Sequence, residues 1–155
     1  MTPAVTAARR AGIDIDVVEY DAGDSDEPYG VGAARALGIA PERVFKTLVV
    51  DLSGRSLAVA IIPVAERLDL KAVASALGAK RATMAEPAAA ERATGYVLGG
   101  ISPLGQRRRL PFAIDESALG LERIHVSGGR RGLEIGLAPG DLVALVGATV
   151  ARIAR

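Results

Sequence analysis

The sequence predicts an α+β fold, a single compact domain in which a mixed, curved and barrel-like sheet is flanked by short helices. Two observations lead to this class: strand segments outnumber helical ones, and the connections between them are short. A length of 155 residues is that of about one domain and is enough to bury a core. Since no repeat or low-complexity linker divides the chain, we assign residues 1–155 to one domain.

The first part of the chain is predicted to form a helix, a strand, a second helix and a hairpin. Thr2 and Pro3 have the residue types of an N-cap and a first helical position, and Gly12 ends that helix. The segments that follow are a strand over 15–20, an acidic loop over 21–28, a helix over 30–37 that stops at Gly38, and a hairpin of 44–51 and 56–62.

The second part is predicted to alternate short helices and short strands. Asp69 caps a helix over 70–77, and Pro87 begins a helix that closes near Gly95. The apolar run 96–98 is interpreted as a buried strand. The remaining segments are strands over 112–115, 124–126 and 133–137, a helix over 139–146, and a strand or helical tail over 149–153.

Composition excludes several classes of protein. Only 3% of the residues are aromatic, so the core must be built from aliphatic side chains. The longest apolar run, 57–65, is too short to cross a bilayer, and the N-terminus lacks the pattern of a secretory signal. We therefore expect no membrane association and a cytoplasmic location, which the absence of cysteine also fits.

The net charge of +1 provides no general attraction for nucleic acid, so such binding has to come from local patches. Two runs of arginine are candidates, Arg107–Arg109 and Arg130–Arg131.

The usual catalytic residue sets are absent. The one histidine, His125, lies within a predicted strand, where a structural role is more typical. With no cysteine and a single histidine, a zinc site is not expected. There is neither a nucleophile elbow nor a P-loop signature, and we expect no metal and no cofactor.

The most informative segment is the loop Gly99-Gly100-Ile101-Ser102-Pro103. The two glycines lack a Cβ atom, so a ligand can approach the backbone N–H groups closely. Pro103 restricts the residue before it and stiffens the loop. Such a loop suits an anion, or an acyl group whose carbonyl oxygen becomes negative during a reaction; the alternative is a tight turn between two strands.

Two further features point to the same chemistry. Lys46 lies at the start of an apolar strand and could hold a phosphate or a carbonyl oxygen, or else could protect a sheet edge from aggregation. Ser127-Gly128-Gly129 is a second Gly/Ser loop. If their strands are neighbours, the two loops form one mouth.

Four separated motifs in order resemble the YbaK family, free-standing editing deacylases related to the insertion domain of bacterial prolyl-tRNA synthetases. The resemblance covers essentially the whole chain. It is carried by Val44-Phe45-Lys46-Thr47-Leu48, Leu68-Asp69-Leu70-Lys71, Gly95 to Gly105, and Val126-Ser127-Gly128-Gly129-Arg130-Arg131-Gly132-Leu133.

The resemblance implies hydrolysis of cysteine misattached to proline tRNA, and of cysteinyl-tRNA(Cys) too. Glu134 takes the place of a family aspartate and is one methylene longer, while Arg107 and Arg108 replace family lysines. The implied catalytic residues are Lys46, Gly99, Gly100, Ile101 and Ser102. The implied substrate-binding residues are Tyr20, Tyr29, Thr47, Pro103, Ser127, Gly128 and Glu134, and those for tRNA phosphates are Arg107, Arg108, Arg109, Arg130 and Arg131.

The mechanism we hypothesise needs no side-chain nucleophile, because an aminoacyl ester is already activated. Backbone N–H groups from Gly99 to Ser102 hold the carbonyl oxygen, and Lys46 anchors the terminal adenosine. The resemblance adds substrate assistance, in which the cysteine thiol attacks its own carbonyl. The expected partners are the acceptor end of aminoacyl-tRNA and prolyl-tRNA synthetase. Two alternatives are a sister deacylase acting on Ala-tRNA(Pro) or another small aminoacyl-tRNA, and a non-catalytic module that binds a tRNA end or a protein.

Overall fold

The computed structural model describes residues 1–21 and 31–155, which form five α-helices and eight strands. The helices are α1 (Pro3–Arg10), α2 (Val31–Leu37), α3 (Leu70–Ala76), α4 (Pro87–Thr94) and α5 (Pro139–Val146). The strands are β1 (Ile15–Glu19), β2 (Phe45–Leu52), β3 (Ser56–Pro63), β4 (Ala82–Met84), β5 (Phe112–Asp115), β6 (Ile124–Ser127), β7 (Leu133–Leu137) and β8 (Thr149–Ala151). No helix in this described part is both long and apolar enough to cross a bilayer.

The strands form two sheets. The smaller one has the order β1-β7-β6 and is antiparallel. The larger one has the order β4-β2-β3-β5-β8 and is mixed, because β5 runs parallel to both β3 and β8. A single parallel bridge, Val44 to His125, joins the sheets. The predicted α+β class and mixed sheet are confirmed, although the sheets do not close into a barrel.

The main core lies between the inner faces of the two sheets. Phe45 and Ile61 of the larger sheet, like Ile135 and Leu137 of the smaller one, are fully buried in it. A second apolar cluster lies between the larger sheet and α3. In a third and smaller cluster, Ala34 of α2 packs against Val44 and Val64. Aliphatic residues dominate all three clusters, as the composition predicts.

The helix N-caps predicted at Thr2 and Asp69 are confirmed. The Thr2 hydroxyl accepts a hydrogen bond from the Val5 N–H at 3.4 Å, and the Asp69 carboxylate accepts one from the Ala72 N–H at 3.0 Å. Each bond satisfies a backbone donor that the first helical turn leaves without an intrahelical partner. The predicted hairpin is also confirmed, as β2 and β3 with the intervening turn at 53–55.

The buried strand predicted over 96–98 is wrong. Gly95 ends α4 in the left-handed conformation, with φ of +81°, and redirects the chain. Tyr96 is buried and donates its hydroxyl to the Leu104 carbonyl at 2.6 Å, but Val97 and Leu98 are exposed. The Gly100 N–H then bonds the Val97 carbonyl at 2.9 Å and closes a turn. A further strand that was not predicted, β4, pairs through its three residues with the end of β2.

Candidate functional site

The register of the strands places Lys46, Ser127 and Glu134 in one row. Ser127 pairs with Glu134 across β6 and β7. The isolated parallel bridge from Val44 to His125 lies two residues before Lys46 and Ser127 along the chain, and β2 and β6 are in contact, which puts Lys46 near Ser127. Residues two apart in a strand share a face, so these side chains project on the same side, away from the main core. The structure thus brings together residues that are up to 88 positions apart in sequence.

This face is covered at one end by α2, through its contact with Val44. Ser127 and Glu134 are buried, at 1% and 0% exposure, and Lys46 is half-buried. Burial lowers the pKa of Lys46, because an ammonium loses hydration on entering the protein. At Lys46, β2 pairs with β3 on one side, and Val44 just before it bridges to β6, whereas β4 pairs only with the far end of β2. That placement does not favour the alternative that Lys46 protects an exposed sheet edge from aggregation.

Tyr20 lies beside the same row at the end of β1. Its N–H bonds the Gly132 carbonyl at 2.9 Å. Burial raises the pKa of the Tyr20 phenol, and the nearby charge of Glu134 raises it further. The phenol is therefore neutral at physiological pH and offers a hydrogen-bond donor next to Glu134. Tyr29, the second predicted aromatic residue, lies outside the described residues, as does most of the acidic loop.

The two glycine loops touch each other. A Cβ atom added to Gly100 would lie 2.9 Å from the Arg130 Cα, which is closer than real Cβ contacts come, and 3.1 Å from the Arg131 N. Only glycine therefore fits where the backbone of one loop crosses the backbone of the other. Ser127 is linked to the crossing, because its hydroxyl accepts the Gly129 N–H at 3.1 Å. The predicted pair of neighbouring Gly/Ser loops is thus present in the structure.

Two backbone N–H groups at the glycine loop are already hydrogen-bonded within the protein. The Gly100 N–H bonds the Val97 carbonyl, and the Leu98 N–H bonds the Glu91 carboxylate at 3.0 Å. These two bonds shape the turn itself. The Ser102 hydroxyl is buried and accepts the Leu104 N–H at 3.2 Å. Ser102 accordingly serves to hold the loop rather than to act as a nucleophile.

Several predicted residues lie away from the row. Thr47 alternates with Lys46 and faces the main core, where its buried hydroxyl has no hydrogen-bond partner among the described residues. Ile101 packs into that same core. Pro103 lines a different hollow of about 280 Å³, together with Arg107, Arg108 and Arg109.

The three consecutive arginines form an exposed basic patch at that hollow. Their backbone is fixed to α4, since the Arg107 and Arg108 N–H groups bond the carbonyls of Thr94 and Ala93 at 3.0 and 2.9 Å. The Arg107 side chain reaches back to Gly95, within 3.6 Å of the position a Cβ would take there. The patch therefore adjoins the segment that leads into the glycine loop.

His125 occupies β6 on the same face as Ser127, as strand alternation requires. Burial lowers the pKa of His125, and the charge of Asp16 opposes that effect. Its ring packs within 3 Å of the position of a Cβ on Gly136, so the pairing strand needs a glycine there. Within residues 1–21 and 31–155, no group of three or more His, Cys, Asp or Glu side chains could hold a metal ion.

Two features of the site carry no signal in the sequence. Thr2 caps α1, but its hydroxyl also donates a hydrogen bond to the Gly128 carbonyl. This bond connects the N-terminus to the second Gly/Ser loop. Val97 and Leu98 stand exposed at the lip of the glycine loop. An apolar run gives no hint that its side chains will face solvent, and a contact 126 positions apart leaves no local pattern.

Known proteins resemble this chain along most of its length. A model of the aminoacyl-tRNA editing domain matches residues 31–145. The protein EbsC of Enterococcus faecalis, a proposed Cys-tRNA(Pro)/Cys-tRNA(Cys) deacylase, is 38% identical over 136 residues, which is 87% of this chain and 83% of EbsC.

Two crystal structures have the same fold. One is of a proposed trans-editing enzyme for prolyl-tRNA synthetase; it is 27% identical, with a TM-score of 0.86 over 99% of this chain and 95% of that one. The other is of a hypothetical protein that is 22% identical, with a TM-score of 0.88 over 99% of this chain and all of that one. The second likeness concerns the fold alone.

Proposed function

This chain belongs to the aminoacyl-tRNA editing domain family, and from that premise we propose that it deacylates mischarged Cys-tRNA(Pro), and Cys-tRNA(Cys) as well. The family match confirms the resemblance that the sequence motifs indicated. The observation that carries the proposal is the crossing of two glycine loops beside a buried row of Lys46, Ser127 and Glu134. We treat residues 1–155 as one editing domain.

The glycine loop supplies the stabilisation of the developing negative charge. Because the Gly100 and Leu98 N–H groups are engaged in the turn, we assign the oxyanion to the N–H groups of Gly99 and Ile101. Gly100 contributes by allowing the backbone to approach Arg130, and Ser102 by fixing the loop from beneath. Donors held in place before the substrate arrives need no reorganisation during the reaction.

The row beside the loop holds the end of the tRNA. Lys46 offers a compact positive charge for the phosphate or ribose of the terminal adenosine. Ser127, Gly128 and Glu134 bound the space for the amino acid, and Tyr20 is its aromatic wall. Arg107 to Arg109, Arg130 and Arg131 are the contacts to tRNA phosphates.

The reaction proceeds by substrate assistance. The cysteine sulfur attacks the ester carbonyl carbon, forming a C–S bond, and the C–O bond to the terminal ribose then breaks. The thiol proton passes to the ribose oxygen, so the products are a cyclic thiolactone and tRNA with a free hydroxyl. The enzyme supplies position and oxyanion stabilisation, which accounts for a site without a side-chain nucleophile.

A deacylation panel tests this proposal. Purified protein is expected to deacylate Cys-tRNA(Pro) much faster than Ala-tRNA(Pro) or Ser-tRNA(Pro), because only cysteine carries the internal nucleophile. Equal rates on all three would contradict thiol assistance. Preference for Ala-tRNA(Pro) would identify a sister deacylase, and binding without turnover would identify a non-catalytic module.

We further propose that prolyl-tRNA synthetase is the partner and that the reaction takes place in the cytoplasm. A proposed trans-editing enzyme for that synthetase has the same fold. The chain has only 3% aromatic residues with which to stack bases, so recognition of the tRNA body is expected to depend on a partner.

A further inference from the structure

The lip of the candidate site exposes two large apolar side chains that the reaction does not use. Val97 is 73% exposed and Leu98 is 51% exposed. Single exposed apolar residues are ordinary on protein surfaces, but these two are adjacent and come directly before Gly99 and Gly100. Together they give a ligand at the glycine loop an apolar surface to pack against.

Val97 and Leu98 form one wall of a hollow of about 300 Å³. Arg130 and Arg131 also line this hollow, together with the apolar side chains of Pro3 and Tyr96. An apolar surface facing positive charge complements a nucleotide, which has a flat base and a charged phosphate. The volume is at the lower end of the range for small-ligand sites.

The lip is rigid before any ligand arrives. Three hydrogen bonds hold it: from Leu98 to Glu91, from Gly100 to Val97, and from the Tyr96 hydroxyl to Leu104. Binding therefore needs little ordering of the loop.

The Arg130 side chain is accessible to an anion. The Arg130 guanidinium bonds the Glu19 carboxylate at 2.8 Å, but the two side chains are 53% and 73% exposed. Exposed pairs of this kind contribute little to stability, so a phosphate can replace Glu19 at small cost.

The hollow adjoins the reaction site, because Gly100 of the glycine loop lines it. It does not include Lys46, Ser127 or Glu134, but Gly129 on its wall donates its N–H to the Ser127 hydroxyl. A tRNA end whose amino acid lies against Ser127 would therefore bring the nucleotide before its terminal adenosine toward the hollow.

We propose that this hollow binds the nucleotide before the terminal adenosine, with its base on Val97 and Leu98 and its phosphate on Arg130 and Arg131. The inference rests on the proposed function, since it assigns a subsite for the same substrate. Val97 and Leu98 are positioning residues here, because they touch no reacting atom.

The test compares two substrates that differ only in the nucleotides before the adenosine. These are Cys-tRNA(Pro) and the cysteinyl ester of adenosine alone. The double variant Val97→Ser/Leu98→Ser is expected to raise KM for Cys-tRNA(Pro) about tenfold with kcat unchanged. On cysteinyl-adenosine, its kcat/KM should equal that of the wild type.

Leu119→Ser is the matched control, because Leu119 is 42% exposed and lies outside the hollow. It should change neither substrate's kinetics. Equal losses of the double variant on both substrates, or no loss on either, would overturn the proposed subsite.

A binding measurement separates this inference from the proposed function. A short single-stranded RNA ending in CCA should bind the double variant about tenfold more weakly than the wild type, whether or not the protein turns over any ester. Wild-type protein that hydrolyses neither ester would refute the function but would leave this comparison valid. Identical RNA affinities of variant and wild type would refute the subsite.

Discussion

At the scale of single residues, Lys46 shows how a functional group and a stability cost coincide. A lysine kept charged in a half-buried setting loses part of its hydration, which is why burial lowers its pKa. The opposite face of the same strand carries Phe45 and Val49 in the core, so β2 cannot turn to release Lys46 into solvent. The fold thus keeps the Lys46 ammonium partly dehydrated, and this costs stability.

This cost yields a prediction for Lys46→Met, which keeps the length of the side chain but removes the charge. We expect kcat/KM for Cys-tRNA(Pro) to fall about 100-fold or more, as when an electrostatic contact to the transition state is removed. The free energy of unfolding at pH 7 should stay the same or rise by about 0.5–1 kcal/mol.

The sign of the pH dependence follows from the lowered pKa. The folded state binds the Lys46 proton less tightly than the unfolded state, so the wild type becomes more stable as the pH rises through that pKa toward the ordinary value of 10.5. The stability advantage of Lys46→Met should therefore be present at pH 7 and shrink as the pH approaches 10. Denaturant titrations at both pH values measure it, with Lys71→Met on the exposed side of α3 as control. Normal turnover by Lys46→Met would return the lysine to a structural role.

At the scale of elements, the site depends on one close crossing of two loops. The glycine loop and the turn between β6 and β7 approach so closely at Gly100 and Arg130 that no side chain fits between them. Each loop is fixed to a different part of the fold, one through Ser102 and Tyr96 and the other through the pairing of β6 with β7. A change at the crossing therefore moves the loops apart instead of bending one of them.

Gly100→Ala is predicted to separate the loops. The added methyl group would meet the Arg130 backbone at 2.9 Å, so the contact must open. Overpacking of this kind costs about 1–3 kcal/mol of stability. We expect kcat/KM to fall by about tenfold or more, because displaced N–H groups no longer match the oxyanion.

Gly120→Ala is the matched control, since nothing lies within 4 Å of a Cβ there and its φ is not positive. It should leave both stability and turnover near wild-type values. A Gly100→Ala protein with wild-type kcat/KM would show that the crossing does not set the geometry of the reaction.

The elements also show which parts of this protein a sequence can predict. The caps at Thr2 and Asp69 and the left-handed glycine at Gly95 are local hydrogen-bonding and backbone effects, so their signals lie within a few residues. The prediction failed at 96–98, where an apolar run was read as buried. Its exposure follows from the turn that Gly95 imposes and from the anchoring of Tyr96 to Leu104.

The assembly of the candidate site was predictable only in part. Motifs indicated Lys46, the glycine loop and Ser127, but their relative placement depends on the bridge between Val44 and His125. That bridge joins two sheets through strands far apart in sequence, and no local pattern encodes it. For the same reason, the sequence did not reveal that Thr47 faces the core while Lys46 faces the site.

At the scale of the whole molecule, charge must act locally. A net charge of +1 cannot draw tRNA to the protein from a distance, so binding depends on where the arginines lie. Arg107 to Arg109 line one hollow with Pro103 of the glycine loop, and Arg130 and Arg131 line another with Gly100. An acceptor end bound at the glycine loop would therefore lie near both basic patches.

Replacing Arg107, Arg108 and Arg109 together by glutamine tests this arrangement. The net charge changes from +1 to −2, by the loss of three positive charges. If the patch contacts one or two phosphates, the slope of log Kobs against log salt should flatten by about 1–2, since each neutralised phosphate contributes about 0.7–0.9. We expect kcat at saturating Cys-tRNA(Pro) to stay unchanged.

The control variant replaces Arg55, Lys80 and Arg81, at the far end of the β2–β3 hairpin, and reaches the same net charge. Because these residues surround a hollow away from the site, the control should leave the slope almost unaltered. Equal flattening in both variants would show that total charge, and not the patch beside the glycine loop, governs tRNA binding.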